Sequence, residues 1–433
     1  MAGGARQRPT GVTWLSPNEA LDRFLRAVSG LVLVDPAIPA SINVATMLAG
    51  IKGWLVATPT FAAAHQLAER IAAPIQDVLD LGAFHWQSDV QAYRWFYGHS
   101  GASGPYYHQL SHRMCAMTDP YDLPLRDYMV EFAVPLLWVK QEADAEELAL
   151  AEEILMRLPP NIPCLGWPYA PCSADEGLGE HRGVILANEF AKFEMYSGYE
   201  TVSRAVSNLS VHSGTSMPPG PAARQQERAG APPPLANKVY LALIRTDGDG
   251  ANFYRECYRS LWEDAPHGRF SIAWQQGPML YDLMPDILDW YYRHATPNDS
   301  FVNALTGIGY IHEENYAYRY PPKQRAEIWE NYLRLSQAYH ERLGFSCLTT
   351  YHEMSTERLA ALCRIGFQGV FANYDRSFIT SLHNQIEELE GVPVFRACNT
   401  SDARVPAVTG LVADIRRWTP RQRPAFLYVS LTN

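Results

Sequence analysis

Two aspartates separated by one glycine, Asp247 and Asp249, are the residues of this sequence whose type and spacing most directly suggest chemistry. They follow residues 239–244, an apolar run with the length and composition of a strand that is buried on both faces. Parallel α/β folds place their active sites at the carboxyl ends of such strands. Aspartates beside glycines also commonly bind backbone N–H groups in turns, so a structural role for residues 247–250, the Asp-Gly segment, stays open.

Two nearby carboxyl groups are typical of glycosidic-bond hydrolysis, in which one is a protonated acid and the other an ionised nucleophile or base. The groups lie ~5–5.5 Å apart in retaining enzymes and ~6.5–9.5 Å apart in inverting enzymes. If the chain stays extended through Gly248, the side chains of Asp247 and Asp249 share one face, ~7 Å apart. A shared face would raise the pKa of one of them.

A second arrangement pairs one of these aspartates with a carboxyl group that follows another strand. The candidates are Glu313, Glu353 and Asp375. We favour this arrangement, with Asp249 and Glu313 as the catalytic pair, because barrel active sites draw on several strands. His312 and His352 would then tune the carboxyl groups or bind hydroxyl groups.

The elements that must position these residues are strands and helices in alternation. Seven apolar runs predict strands at residues 239–244, 270–274, 301–305, 345–350, 369–372, 392–396 and 426–429. Helical periodicity marks residues 279–292, 324–343, 356–365 and 377–389. Right-handed β/α repetition favours a TIM-like barrel, with an open doubly wound sheet as the alternative. Because residues 238–433 are fewer than the ~250 of a typical eight-unit barrel, we expect a seven-stranded or truncated one.

In such a barrel, polar side chains at the strand ends point into one shared pocket. The substrate-binding candidates are amides, imidazoles and aromatic rings: Asn252, Trp274, Tyr310, His312, His352, Asn373 and Asn399. Amides and carboxylates pair with hydroxyl groups, while flat rings stack on sugar faces. The predicted partner is therefore a carbohydrate.

The first half of the chain, residues 1–212, indicates one or two smaller α/β subdomains. Strands are predicted at residues 31–34, 54–57, 128–139 and 162–166, and helices at residues 42–51, 60–70, 88–97, 106–117 and 146–158. No GxGxxG motif is present, so no dinucleotide cofactor is expected. Residues 213–237 are rich in proline and glycine and predict a linker or loop between the two halves.

Composition restricts the class of partner. The formal charge is −10, from 46 acidic and 36 basic residues, which argues against nucleic-acid binding. The seven cysteines lack CxxC spacing and predict neither a disulfide framework nor a zinc knuckle. No apolar run approaches the ~20 residues of a membrane span, and no signal peptide is visible. We expect a soluble protein, cytoplasmic as written and extracytoplasmic if a leader was removed; the oligomeric state stays open.

Two other interpretations remain open at this point. Asp247, Asp249, Asn252 and His352 could hold a divalent cation for polysaccharide deacetylation. The spacing does not match a calcium loop, because Tyr258 stands where that loop has its last glutamate. The chain could also bind a carbohydrate without cleaving it.

A family resemblance supports the first interpretation. Residues 277–310, the Asp-Gly segment and residues 208–214 resemble the GxGYxYP family of glycoside hydrolases, and the similarity extends over nearly the whole chain. The resemblance implies a TIM-like C-terminal domain preceded by smaller α/β domains. Gly307, Gly309 and Tyr310 match the motif, whereas His312 and Glu313 stand where the family has Tyr and Pro. We name residues 307–313 the signature segment and expect a pocket rim that differs from that of better-matching members.

Overall fold

The structure is a computed structural model that describes residues 13–71, 77–99, 102–121, 124–139, 145–166, 182–195, 208–218, 234–246, 248, 250–264, 266–350, 354–372, 386–398 and 408–431. The chain divides into two compact units. The first unit contains residues 1–186 and 199–214, and the second contains residues 187–198 and 215–433. A short stretch from the first half of the sequence therefore belongs to the second unit. Among the described residues, no helix is both long and apolar enough to cross a membrane.

The first unit is a mixed α/β structure. Its helices are α1 (Pro17–Phe24), α2 (Ala40–Lys52), α3 (Pro59–Ala64), α4 (Leu67–Arg70), α5 (Asp89–Tyr97), α6 (Arg126–Glu131), α7 (Ala145–Arg157), α8 (Arg182–Glu189), which ends in the second unit, and α9 (Leu209–Ser213). Its strands are β1 (Gly30–Leu33), β2 (Trp54–Ala57), β3 (Asp77–Asp80), β4 (Gly98–His99), β5 (Ala102–Ser103), β6 (Cys115–Met117), β7 (Leu136–Leu137) and β8 (Ile162–Leu165).

Parallel pairing organises the first unit, as the sequence predicted for its beginning. β1 pairs in parallel with β2 and β3, and β6 pairs in parallel with β7 and β8. Helix α2 contacts both β1 and β2 and is buried over most of its length, because its residues are largely apolar on every side. It ends at Gly53, whose left-handed conformation caps the helix.

Three predictions for the first unit were wrong in whole or in part. Residues 106–117 were expected to form a helix, but they contain a 3₁₀ turn and strand β6. Residues 128–139 were expected to form a strand, but they contain most of α6 and the short β7. A short buried apolar run has no periodicity by which a helix can be told from a strand. The helix predicted at residues 60–70 is broken into α3 and α4 at Gln66, which is left-handed.

The second unit carries the repeated strands and helices. Its strands are β9 (Lys192–Glu194), β10 (Val239–Arg245), β11 (Ile272–Gln276), β12 (Asp299–Asn303), β13 (Cys347–Thr349), β14 (Gly369–Ala372), β15 (Ile386–Leu389), β16 (Val392–Arg396) and β17 (Ala425–Leu431). Its helices are α10 (Ala251–Arg255), α11 (Cys257–Glu263), α12 (Leu280–Leu283), α13 (Pro285–His294), α14 (Pro322–Leu343), α15 (Thr356–Cys363) and α16 (Val408–Trp418).

All seven strands predicted for this half are present, with boundaries shifted by at most two residues. They form one sheet in the order β16-β14-β13-β12-β11-β10-β17, and every pair among them is parallel. The helix predicted at residues 377–389 is wrong at its end. Residues 386–389 form β15, which pairs antiparallel with β16, and residues 377–385 lie outside the described residues.

The two ends of this seven-strand run meet at one point. A single parallel bridge joins Ala397, just after β16, to Tyr428 of β17, and the Cys398 amide donates to the Tyr428 carbonyl at 2.8 Å. Ile244, Val302 and Tyr428 pack in one core with Ala397. The repeat of parallel strands and helices is thus confirmed, whereas its closure into a TIM barrel stays a prediction.

Candidate active site

The Asp-Gly segment is held against the end of the neighbouring strand. Asp247 and Asp249 lie outside the described residues, but Gly248 between them is described. Its carbonyl accepts from the Gly277 amide at 2.7 Å, and a Cβ at Gly248 would overlap the carbonyl oxygen of Gln275. Tyr258 donates to the Thr246 carbonyl at 2.6 Å. This position therefore requires glycine because another backbone approaches it closely.

The signature segment is tied to a strand from the first half of the sequence. The Tyr310 amide donates to the Glu194 carbonyl at 2.8 Å, and the Glu194 amide donates to the Tyr310 carbonyl at 2.9 Å. A Cβ on Gly309 would lie 2.6 Å from Cδ2 of Phe193 and 2.7 Å from the Glu194 oxygen. The second glycine of the motif is therefore explained by the approach of β9.

One narrow pocket is lined by both of these segments. The lining residues come from β9, the Asp-Gly segment, the end of β11 and the chain after β12: Glu194, Met195, Gly248, Ala251, Gly277, Met279, Leu280, Ala304, Ile308, Gly309 and Tyr310. It is small, with a cavity volume of about 10 Å³. The pocket lies at the carboxyl ends of β10, β11 and β12, as expected for an α/β active site.

Glu313 is a buried carboxyl group with an altered pKa. Glu313 is only 1% exposed, and its Oε1 accepts a hydrogen bond from Thr306 Oγ1 at 2.6 Å. Burial raises its pKa from 4.5 to about 7, although the Thr306 hydrogen bond and the Arg358 guanidinium act in the opposite direction. Glu313 therefore holds a proton at mildly acidic pH, as a general acid must. It does not line the pocket described above.

Backbone strain marks the chain that leads from β12 to Glu313. Leu305 and Thr306 both have positive φ angles, 32° and 75°. A β-branched residue rarely adopts this conformation, and such strain clusters at functional sites. The Tyr332 hydroxyl oxygen lies 2.5 Å from the Thr306 carbonyl oxygen and 2.9 Å from the Gly309 carbonyl oxygen, so its one proton is shared between two acceptors of this segment.

Tyr310 and His312 lie side by side in the same segment. The Tyr310 hydroxyl and His312 Nε2 are 3.2 Å apart, and both residues are buried. The His312 amide donates to Oδ1 of Asn188 at 2.6 Å. Of the predicted site residues that the structure describes, these two and Glu313 are therefore brought together within one segment, with Tyr310 facing the pocket.

Four amide side chains next to the pocket have buried polar atoms without a hydrogen-bond partner. These are both polar atoms of Asn252, Oε1 of Gln275, Oε1 of Gln276 and Nδ2 of Asn303. Asn252, Gln276 and Asn303 are direct sequence neighbours of the lining residues Ala251, Gly277 and Ala304. Leaving a buried polar group unsatisfied costs ~1–3 kcal/mol, so such groups usually meet water or a ligand.

Trp274 lies apart from the pocket. Its Nε1 donates to Oδ1 of Asp299 at 2.9 Å, and its ring packs 4.9 Å from Trp262 and 5.3 Å from Tyr258. These contacts account for the burial of Trp274. Because Trp274 does not line the pocket, its role in substrate binding stays a prediction. Five further predicted site residues lie outside the described residues: His352, Glu353, Asn373, Asp375 and Asn399.

Within the described ranges, no group of three or more His, Cys, Asp or Glu side chains is arranged to hold a metal ion. A larger cavity of about 880 Å³ lies toward the amino ends of the same strands, and its lining mixes apolar residues such as Leu241 and Phe301 with polar ones such as Asp299 and His340. The smaller pocket is the better site because chemistry in α/β folds lies at carboxyl ends.

Sequence reasoning missed Glu194. It lines the pocket and is 1% exposed, yet it belongs to a three-residue strand that precedes residues 213–237. No motif or periodicity marks it, because its position depends on a tertiary pairing with Tyr310.

Comparisons with known proteins agree with this architecture. Three domain models of one family match the chain: "GxGYxYP_N second domain" at residues 28–102, "GxGYxYP third domain" at residues 112–214, and "GxGYxYP putative glycoside hydrolase C-terminal domain" at residues 237–433. The chain is also similar to a solved structure described as a putative hydrolase from Bacteroides thetaiotaomicron VPI-5482. The TM-score is 0.73 at 16% identity, over 97% of this chain and 77% of the other, which supports the fold alone. A comparison with curated proteins finds no significant match.

Proposed function

Because this chain belongs to the GxGYxYP family, we propose that it is a glycoside hydrolase that cleaves an oligo- or polysaccharide. One observation carries the proposal: Gly248 of the Asp-Gly segment and residues 308–310 of the signature segment line the same pocket. In this proposal the seven parallel strands form a TIM-like barrel whose ends meet at the Ala397–Tyr428 bridge.

Glu313 is the general acid of the proposed reaction. Its raised pKa of about 7 keeps it protonated at mildly acidic pH, so that it can donate a proton to the glycosidic oxygen as the bond to the anomeric carbon breaks. An aspartate of the Asp-Gly segment, Asp249 in our preferred pairing, supplies the ionised carboxylate. It either attacks the anomeric carbon or takes a proton from the attacking water.

Polar groups around the pocket suit a ligand with many hydroxyl groups. The Tyr310 hydroxyl can donate or accept, and the buried amides of Asn252, Gln276 and Asn303 have unused donors or acceptors close to the lining. A polyol satisfies both kinds of group. This match supports a carbohydrate over a purely apolar ligand.

The proposal is tested by hydrolysis of plant, algal and microbial glycans, measured as release of new reducing ends. Glu313→Gln and Asp249→Asn should each lower kcat/KM by a factor of about 100 or more while the thermal unfolding midpoint stays similar. Glu314→Gln is the matched control, because Glu314 is the adjacent residue and its side chain is 56% exposed. Equal turnover by wild type and both site variants would remove these residues from the mechanism.

A wild-type protein that releases no product from any glycan would overturn the glycosidase itself. Retained binding without product would instead favour a carbohydrate-binding protein. Loss of product with a chelator and its recovery with a divalent cation would favour the metal-dependent deacetylase.

A further inference from the structure

Aromatic side chains from two turns and one helix meet at the surface of the first unit. Phe84 ends a 3₁₀ turn after β3, Trp86 follows it by two residues, Trp95 belongs to α5, and Tyr106 precedes another 3₁₀ turn. The Phe84 ring lies 5.1 Å from the Trp86 ring, with the planes 7° apart, and 4.9 Å from the Trp95 ring. The Trp95 and Tyr106 rings are 5.6 Å apart. We call these four residues the aromatic surface.

The rest of the unit covers the aromatic surface only in part. Phe84 is 39% exposed although its ring contacts both tryptophans, and Trp86, Trp95 and Tyr106 are half-buried. Single exposed apolar side chains are common on proteins, whereas contiguous ones more often mark a binding site. The aromatic surface therefore needs an explanation other than core packing.

The turn that carries Phe84 and Trp86 is held in one conformation. His85 between them has a left-handed backbone with a φ of 51°, which is uncommon for a residue other than glycine and is often retained at functional sites. Gln87 Nε2 donates to the His85 carbonyl at 2.8 Å, and the Gln87 amide donates to Oε1 of Gln91 in α5 at 2.9 Å. The two rings thus have little freedom left to lose when a ligand binds.

The size of the aromatic surface fits a chain of sugars better than a second protein. An aromatic side chain has ~150–250 Å² of surface, so four of them, none more than 39% exposed, offer at most roughly 400 Å². A standard protein interface needs ~800 Å² from each partner. A pyranose ring, in contrast, stacks its C–H face on a single flat ring. Exposed His85 beside the rings adds a side chain that can pair with hydroxyl groups.

We propose that the aromatic surface is a second carbohydrate-binding site, which holds a stretch of polysaccharide by stacking and takes no part in hydrolysis. The choice of a carbohydrate as the ligand rests in part on the proposed function, but binding at this surface requires no cleavage. Attachment to the polymer through a second site raises the effective concentration of substrate for the enzyme. The site therefore adds a binding function in the first unit to the chemistry proposed for the second.

The test measures binding of the whole protein to soluble polysaccharides by affinity electrophoresis. Native gels contain starch, arabinoxylan, galactomannan or mixed-linkage β-glucan, and the retardation gives a dissociation constant for each polymer. Wild type should be retarded by at least one of them. Phe84→Ala combined with Trp86→Ala should weaken that binding by about tenfold or more, because two stacking contacts are lost.

The matched control is Phe61→Ala, which removes a phenylalanine of similar exposure from the same unit. Phe61 lies in α3, is 42% exposed and packs against the His65 ring at 4.4 Å, outside the aromatic surface. Its removal should leave the affinity for every polymer unchanged. An equal loss in Phe61→Ala and in the double variant would overturn the proposal.

Two single variants keep the test valid if the double variant does not fold. Phe84→Tyr keeps a flat ring and should bind as wild type does. Phe84→Leu keeps an apolar side chain but loses the flat ring, so binding should weaken by about threefold or more. Equal affinities of these two variants would mean that the polymer is not held by stacking on Phe84.

The outcomes separate this inference from the proposed function, because hydrolysis of the same polymers is measured in parallel. If wild type cleaves a glycan but the double variant binds every polymer as tightly as wild type, the second site is overturned and the hydrolase stands. If binding depends on the two rings but no glycan is cleaved, the second site stands and the hydrolase is overturned. A wild-type dimer in sedimentation that the double variant abolishes would overturn the second site, because the rings would then join two copies of the chain.

Discussion

At the scale of single residues, the decisive feature is a carboxyl group that burial keeps protonated. Glu313 has one direct neutral partner, the Thr306 hydroxyl, and its Oε1 lies 2.6 Å from Thr306 Oγ1. A hydrogen bond from a hydroxyl stabilises the ionised form and lowers the pKa, while the loss of water raises it more. Burial outweighs the Thr306 hydrogen bond, so the pKa of Glu313 is raised to about 7.

Removing the Thr306 hydroxyl should therefore raise the pKa of Glu313 further. Thr306→Val keeps the branched shape at a position with a φ of 75° but cannot donate, so we expect the alkaline limb of the pH–activity profile to move upward by about one unit. Thr306→Ser keeps the donor and serves as the control. Profiles that coincide for wild type and Thr306→Val would show that Glu313 does not control this limb.

The same pKa predicts how stability depends on pH. The folded state holds a proton that the unfolded state releases, since the pKa is about 7 when folded and 4.5 when exposed. The free energy of unfolding should therefore fall as pH rises from about 4.5 to about 7, with a slope of up to about 1.4 kcal/mol per pH unit from this group. Glu313→Gln should remove that contribution.

Urea unfolding at half-unit steps of pH measures this difference. Glu314→Gln should keep most of the wild-type slope, because the Glu314 side chain is 56% exposed, accepts from the Ser355 amide at 2.9 Å and lies 4.0 Å from Arg358 Nε. A Glu313→Gln variant with the wild-type slope would place the responsible group elsewhere.

At the scale of elements, close approach of backbones determines which residues the site allows. Gly309→Ala should push β9 away from the signature segment and cost about 1–3 kcal/mol of stability, because the new Cβ would lie 2.6 Å from the Phe193 ring. Because β9 carries Glu194 into the pocket, ligand affinity should fall as well. Circular dichroism melts and calorimetry measure the two effects.

A matched control for this glycine exists in strand β14. At Gly369 a Cβ would meet the Cys347 sulfur at 3.5 Å, which is an ordinary contact distance, so Gly369→Ala should change stability by less than about 1 kcal/mol. Equal losses in the two variants would mean that the Phe193 contact is not the cause.

The sequence predicted the repeated elements well where the apolar runs were long or regularly spaced. The seven strands of the second unit follow such runs, and α14 follows a long amphipathic one. The errors at residues 106–117, 128–139 and 386–389 fall where the structure has only short elements. There the choice between helix and strand depends on neighbours in space rather than on local periodicity.

At the scale of the whole molecule, the candidate site depends on segments that are far apart in sequence. Glu194, Gly248 and Tyr310 line one pocket although more than one hundred residues separate the first from the last. The sequence indicated two of these three regions, because an Asp-Gly pair and a glycine motif follow predicted strands. It could not indicate Glu194, whose placement follows from backbone pairing with Tyr310.

Closure of the seven strands is the remaining architectural prediction. If the strands form a barrel, the Cys398 amide, which donates to the Tyr428 carbonyl at 2.8 Å, should resist hydrogen exchange as strongly as an amide between two central strands. The Thr350 amide is the matched reference, because it donates to the Phe371 carbonyl at 3.0 Å after β13. Hydrogen–deuterium exchange resolved to single amides makes the comparison. Similar protection is expected because opening β16 from β17 would expose two strand edges at once, and a Cys398 amide that exchanges within seconds while Thr350 stays protected would indicate an open sheet.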